Sequence, residues 1–208
     1  MNTMAINYDK LISDLSFSQS SIIHKLEKRK NDIDRYFYVT AVFAQNEPIS
    51  GNEEFKETYK SFYVMRTAGL SQQHFDKYFE LLDGQVNNLE RILNELYEIK
   101  TLKQQNSLQF SFATKLLHTV NNNLPIYDNQ VKKTLGLPDT YNALDSRYKK
   151  TRALLAYYEN LKMIYRQLLE KAPLKKLIDD IRNKFGWTTD QINDVKILDF
   201  ILWVHSQK

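Results

Sequence analysis

The sequence lacks cysteine entirely and has few residues that favour tight turns. Its 208 residues include no Cys, 5 Gly and 4 Pro. The absence of cysteine excludes disulfides, thiolate nucleophiles, iron–sulfur clusters and Cys-ligated zinc. The scarcity of Gly and Pro argues against a fold built on many tight β-turns. An all-α fold is therefore the most economical prediction.

Long hydrophobic runs are also missing. No window of about 18 apolar residues occurs, which is the length that a membrane-spanning helix requires. The N-terminal residues from Met1 onward include Asp9, Lys10 and Asp14 and form no apolar stretch of the kind found in signal peptides. We therefore expect a cytoplasmic protein without a membrane partner.

The net charge is small, but the basic residues are concentrated in one segment. The whole chain carries a formal charge of +4. Residues 132–152 alone carry the same excess, from Lys132, Lys133, Arg147, Lys149, Lys150 and Arg152 against Asp139 and Asp145. Localised positive charge suits a phosphate backbone. The alternative is a solvated helix face without a ligand.

Apolar residues recur at spacings of three and four along most of the chain, which predicts amphipathic helices. We predict an all-α bundle of about eight to ten helices that forms a single domain over residues 1–208. The alternative arrangement has two lobes, residues 1–104 and 105–208, with a cleft. Ser18 or Ser20 is expected to cap a long helix that continues to Phe43.

Other local patterns concern the histidines and the C-terminal region. His74 is expected to be a surface or capping residue, and the four histidines show no metal-ligand spacing, so neither a metal site nor a cofactor is predicted. Thr188 and Gln191 match a capping box. The last helix, around residues 197–204, is apolar nearly all round. This is typical of a buried helix, and a homodimer contact is the alternative.

The most informative stretch runs from residue 111 to residue 131. Residues 111–120 predict a short helix in which Lys115 and His118 lie side by side, off the apolar stripe. Three Asn residues then stop the helix, and Pro125 favours an extended turn. Asp128 follows as the predicted N-cap of a helix over residues 129–135. Lys115 and Asp128 are thus close enough in sequence to share one cleft.

The segments Ser-Phe-Ala-Thr-Lys-Leu-Leu-His and Pro-Ile-Tyr-Asp-Asn-Gln-Val in this stretch resemble a group of uncharacterised bacterial helical proteins. These in turn are similar to the 8-oxoguanine branch of the helix-hairpin-helix DNA glycosylases. In that superfamily, a hairpin ending in Gly-Thr-Lys precedes a Pro-Val-Asp segment that opens a helix. Thr114, Lys115 and Asp128 occupy the corresponding positions.

The resemblance implies a DNA partner and base excision. Lys115 would attack the sugar carbon and form a Schiff base, which requires the neutral amine that burial favours. Asp128 would stabilise the oxocarbenium-like transition state or position the attacking group. The damaged base would be everted into a pocket.

The resemblance also implies residues that contact the nucleic acid. These candidates are Ser111, Thr114, His118, Lys132, Lys133 and Arg147.

Two other hypotheses remain open from the residues themselves. Ser111 and Ala113 stand where the hairpin glycines would allow close approach of the backbone to a phosphate. Their side chains favour a non-catalytic nucleic-acid-binding protein on the same scaffold. A helical protein-interaction module is the third hypothesis. Asp128 as a cap alone, and Lys115 and His118 as ordinary surface residues, are the structural alternatives.

Overall fold

The computed structural model describes residues 6–138 and 144–207, and within these ranges the chain forms helices and turns without a β-strand. This confirms the all-α prediction. The described residues contain eleven α-helices, slightly more than the eight to ten expected. Met1 and Asp139, which entered the sequence analysis, lie outside the described residues.

The chain divides into two units. The terminal unit comprises Met1–Arg29 and Asn122–Lys208, and the central unit comprises Lys30–Asn121. The division differs from the lobes 1–104 and 105–208 considered from the sequence, because the N-terminal helices pack with the C-terminal part of the chain.

The central unit is built around aromatic side chains. Its helices are α3 (Lys30–Phe43), α4 (Glu53–Phe62), α5 (Gln72–Asp83), α6 (Leu89–Tyr97) and α7 (Phe110–Val120), with a short 3-10 helix at Met65–Thr67. Helix α3 packs on α4, and α5, α6 and α7 pack on one another. Tyr36, Phe55, Tyr59 and Tyr78 are fully buried at the centre of this unit. Such rings bury a large apolar area and contribute strongly to stability.

The terminal unit surrounds its last helix. Its helices are α1 (Tyr8–Phe17), α2 (Gln19–Lys28), α8 (Asn129–Thr134), α9 (Arg147–Leu169), α10 (Ala172–Phe185) and α11 (Asp194–His205). Helix α11 packs against α2, α8, α9 and α10. Its residues from Lys196 to Leu202 are buried, as its apolar composition predicted. The homodimer considered through this helix gains no support, because most of its apolar side chains are already covered within the chain.

The prediction of one long helix ending at Phe43 is wrong, because the helix is interrupted at Arg29. The Arg29 N–H donates to Leu26 O at 2.9 Å, three residues back instead of four. Residues 27–32 contain no apolar side chain that could be buried. Leu26 belongs to the terminal unit and Ile33 to the central unit, so one continuous helix is not needed to bury either residue.

Candidate functional site

Lys115 and His118 are buried side chains of helix α7, contrary to the surface positions considered from the sequence. Lys115 is 8% exposed and His118 is 1% exposed. Helix α7 buries every residue from Phe112 to His118, so no face of this segment is solvated. The alternative that Lys115 is an ordinary solvated lysine is therefore wrong.

The Lys115 amine lies among aromatic rings of the central unit. Its Nζ is 4.9 Å from the ring centroid of Phe112 and 5.6 Å from that of Tyr63. It donates a hydrogen bond to the Tyr63 carbonyl oxygen at 3.2 Å. Cation–π attraction strengthens when water is excluded, so the rings help to hold the amine. The result is a desolvated amine at a fixed position.

The end of helix α4 provides the carbonyl that accepts this hydrogen bond. Tyr63 follows the last helical residue, Phe62, and its carbonyl oxygen is thus one of the groups that a helix end leaves without an intrahelical partner. Val64 then adopts a left-handed conformation with φ of 53°. This conformation is strained for a β-branched residue. The strained turn orients the Tyr63 carbonyl towards Lys115.

A chain of hydrogen-bonded hydroxyl groups, from two buried tyrosines and Thr119, also anchors helix α7. Tyr59 Oη lies 2.9 Å from Tyr78 Oη and 3.0 Å from Thr119 Oγ1. Tyr78 donates to the Phe112 carbonyl oxygen at 3.0 Å, and Thr119 donates to the Lys115 carbonyl oxygen at 3.0 Å. Burial raises the pKa of Tyr59 and Tyr78 well above the usual tyrosine value, so both stay protonated. The backbone on both sides of Lys115 is therefore anchored.

Three predicted nucleic-acid contacts share helix α7 with Lys115. Thr114 is fully buried, and its hydroxyl donates to the Ser111 carbonyl oxygen at 3.0 Å. Ser111 is half-buried, and the His118 ring lies 6.2 Å from the Tyr36 ring. A nucleic-acid contact stays a prediction for each of them, and for Thr114 and His118 it would require exposure of a buried side chain.

Asp128 lies in the terminal unit, at the start of helix α8. Its carboxylate accepts a hydrogen bond from the Gln130 N–H at 2.7 Å, which confirms the predicted N-cap. The side chain is half-buried, and its negative charge contributes to raising the pKa of Tyr165, after the larger effects of burial and of Asp199. Lys115 and Asp128 thus belong to different units, each with partners in its own unit.

Tyrosines of helix α9 hold the turn that carries Asp128, and no pattern in the sequence pointed to these contacts. Tyr158 donates to the Pro125 carbonyl oxygen at 2.9 Å, and this bond is buried. Tyr127, the residue before Asp128, packs its ring edge-on against Tyr157 at 5.5 Å. The position of the carboxylate therefore depends on helix α9 as well as on the local turn.

The predicted basic contacts Lys132, Lys133 and Arg147 also lie in the terminal unit, in helices α8 and α9. Lys133 is exposed, whereas Lys132 and Arg147 are half-buried. Lys149 pairs with Asp145 at 3.0 Å, and both side chains are largely exposed. Such an exposed pair contributes little to stability. The described part of residues 132–152 thus keeps an excess of positive charge.

A buried ion pair in helix α11 was missed by the sequence analysis. Lys196 Nζ lies 2.7 Å from Asp199 Oδ2, and Tyr165 donates to Asp199 Oδ1 at 3.2 Å. Both charged residues are buried within an otherwise apolar helix. Their spacing of three residues was the available signal, because it places opposite charges on one helix face.

Among the described residues, no three or more His, Asp or Glu side chains are arranged to hold a metal ion. Helices with both the length and the apolar character needed to cross a bilayer are also lacking in that part of the chain. Comparison of the chain with protein-family models, with curated proteins and with solved structures finds no match.

Proposed function

We propose that the chain is a DNA-glycosylase-like protein that excises a modified base, with Lys115 as the amine nucleophile and Asp128 as the assisting carboxylate. The observation that carries this proposal is the buried Lys115 amine, whose contacts include two aromatic rings and one backbone carbonyl. Lysines that form Schiff bases are activated in such water-poor surroundings. The proposal requires that Lys115 and Asp128 reach the same nucleotide.

In this proposal helices α6 and α7 correspond to the two helices of the hairpin. Helix α6, the connector over residues 98–109 and helix α7 follow in that order, and the two helices pack together. Lys115 stands in the second turn of α7. Ser111 and Ala113 lie within the helix and not in a glycine-rich hairpin loop, so the connector is the segment that would approach a DNA backbone.

The reaction follows from the chemistry of the two groups. The Lys115 Nζ lone pair forms a bond to sugar C1′ while the bond from C1′ to the base breaks. The base leaves with that electron pair and takes up the proton that the attacking nitrogen releases. Opening of the sugar ring converts the adduct to a Schiff base, which water hydrolyses. Asp128 lowers the energy of the oxocarbenium-like transition state by its negative charge.

Borohydride trapping tests this proposal. Borohydride reduces a Schiff base to a stable amine, so incubation with a panel of duplexes carrying oxidised, deaminated or alkylated bases should give a covalent protein–DNA adduct. Lys115→Arg keeps a positive charge but cannot form the Schiff base, and it should abolish the adduct. Lys175→Arg, the same change at an exposed lysine of helix α10, should retain it.

Absence of both an adduct and base release across the whole panel would overturn the enzymatic proposal.

The second candidate, a non-catalytic nucleic-acid-binding protein, is favoured by the side chains at Ser111 and Ala113 where glycines are expected. It predicts salt-dependent DNA binding that survives Lys115→Ala. An affinity for DNA that does not change with salt concentration would count against it.

A further inference from the structure

An exposed aromatic ring lies among the basic residues at the beginning of helix α9. The Tyr148 side chain is 71% exposed, and Arg152 on the next turn is exposed as well. Residues separated by four positions are neighbours on a helix surface. The side chains of Tyr148 and Arg152 make no hydrogen bond, ion pair or ring contact with any other described residue. Nothing in the described part of the fold thus requires a tyrosine here.

The charges around Tyr148 are not explained by helix stability. Arg147, Lys149, Lys150 and Arg152 stand in the first two turns of α9, and the first turn holds no acidic residue. Cations are unfavourable near the N-terminus of a helix, because the helix dipole is positive there. Lys149 is paired with Asp145, and an anionic ligand bound to Lys150 and Arg152 would offset the remaining repulsion.

From these observations we propose that the surface formed by Tyr148, Arg152 and the neighbouring basic residues binds single-stranded nucleic acid. An exposed ring can stack on an unpaired base, while adjacent Arg and Lys side chains neutralise phosphates. In a regular duplex the faces of the bases are covered by their neighbours, so the ring favours a single strand. This inference rests on the proposed function in one respect: both take a nucleic acid as the ligand.

A membrane surface fits the same charges less well. Helices that lie on membranes insert an apolar face between the lipids. The apolar face of α9, which includes Leu154, Tyr158 and Leu161, is buried within the terminal unit. Tyr148 is the only large apolar side chain that the first two turns of α9 expose. Anionic lipid is therefore the alternative that the test must exclude.

Fluorescence anisotropy with a labelled oligonucleotide of about 12 nucleotides, as a single strand and as a duplex, tests the proposal. Loss of one stacked base costs about 1–3 kcal/mol, so Tyr148→Ala should weaken single-strand binding roughly 5- to 150-fold. Tyr148→Phe keeps the ring and should bind like the unaltered protein. Arg152→Gln should reduce the slope of affinity against salt by about 0.7.

Phe17 provides a matched control. Its ring is 94% exposed at the end of α1, in the same unit but outside the basic segment. Phe17→Ala should leave binding unchanged. The proposal is overturned if Tyr148→Ala binds the single strand as tightly as the unaltered protein. It is also overturned if the protein binds the duplex at least as tightly as the single strand, or if it binds only vesicles of anionic phospholipid.

The trapping experiment separates this inference from the proposed function. Lys115→Arg should lose the borohydride adduct and retain binding that depends on Tyr148. An adduct without binding that depends on Tyr148 would overturn the proposed single-strand surface but not the proposed base excision. Binding that depends on Tyr148 without any adduct would overturn the proposed base excision but not the proposed single-strand surface.

Discussion

The capping role and the proposed chemical role of Asp128 can be separated by one substitution. The carboxylate accepts a hydrogen bond from the Gln130 N–H at 2.7 Å at the start of helix α8. Asparagine caps helices about as well as aspartate, whereas alanine costs about 0.5–2 kcal/mol. Loss of the negative charge near a helix N-terminus costs about 0.3–1 kcal/mol. We therefore expect Asp128→Asn to lower the free energy of unfolding by at most about 1 kcal/mol, and Asp128→Ala by about 1–2 kcal/mol.

Base excision should respond differently from stability. Asparagine carries no charge and cannot stabilise an oxocarbenium-like transition state, so Asp128→Asn should slow base release by about 100-fold or more. Stability is measured by urea unfolding followed by circular dichroism. Base release is measured in single turnover on the duplex that gives the strongest borohydride adduct. Asp128→Asn should thus be almost as stable as the unaltered protein and nearly inactive.

A cap in the central unit supplies the control for this prediction. Asn52 accepts from the Phe55 N–H at 2.9 Å at the start of α4. Asn52→Ala should cost about 1 kcal/mol of stability without removing a proposed reacting group. If Asp128→Asn excises the base at the unaltered rate, Asp128 is a helix cap and the assignment of a chemical role to it is refuted.

Three further predictions concern buried or strained residues outside this test. Lys196→Met leaves the Asp199 carboxylate buried without its cation and should cost about 3–5 kcal/mol in urea unfolding, much more than replacement of both residues by apolar ones. Val64→Gly relieves the left-handed strain of about 1–2 kcal/mol and loses about 0.5–1 kcal/mol to chain entropy, so it should raise stability slightly in the same assay. Burial lowers the pKa of His74. The unfolded chain therefore binds the proton more readily, and stability falls as pH drops below about 6.5. Urea titrations above and below that pH should show that the free energy of unfolding of His74→Gln depends less on pH than that of the unaltered protein.

The features that the sequence predicted well are local ones. The cap at Asp128 involves a donor two residues away, and the burial of α11 follows from its own composition. The capping-box pair of Thr188 and Gln191 forms both of its hydrogen bonds, at 3.0 and 3.3 Å. Helix α11 nevertheless begins only at Asp194, after a second cap at Asn193. A short-range motif thus predicted its own contacts but not the boundary of the helix.

The features that the sequence missed depend on distant partners. Lys115 donates to the carbonyl oxygen of a residue 52 positions earlier, and Tyr158 donates to one 33 positions earlier. In both cases the polar group is buried together with its partner, and helical periodicity contains no information about such pairs. His74, expected at the surface or as a cap, is instead buried, and its ring is hydrogen-bonded to Oγ of Ser71, three residues earlier, at 2.9 Å.

Lys196 shows why burial alone does not identify a nucleophile. Its Nζ lies 2.7 Å from the Asp199 carboxylate, and both residues are buried in helix α11. A buried carboxylate needs its cationic partner, because an uncompensated buried charge is strongly destabilising. The ion pair with Asp199 therefore gives Lys196 a structural role, although Lys196 is more deeply buried than Lys115. A borohydride adduct on Lys196 instead of Lys115 would contradict this argument.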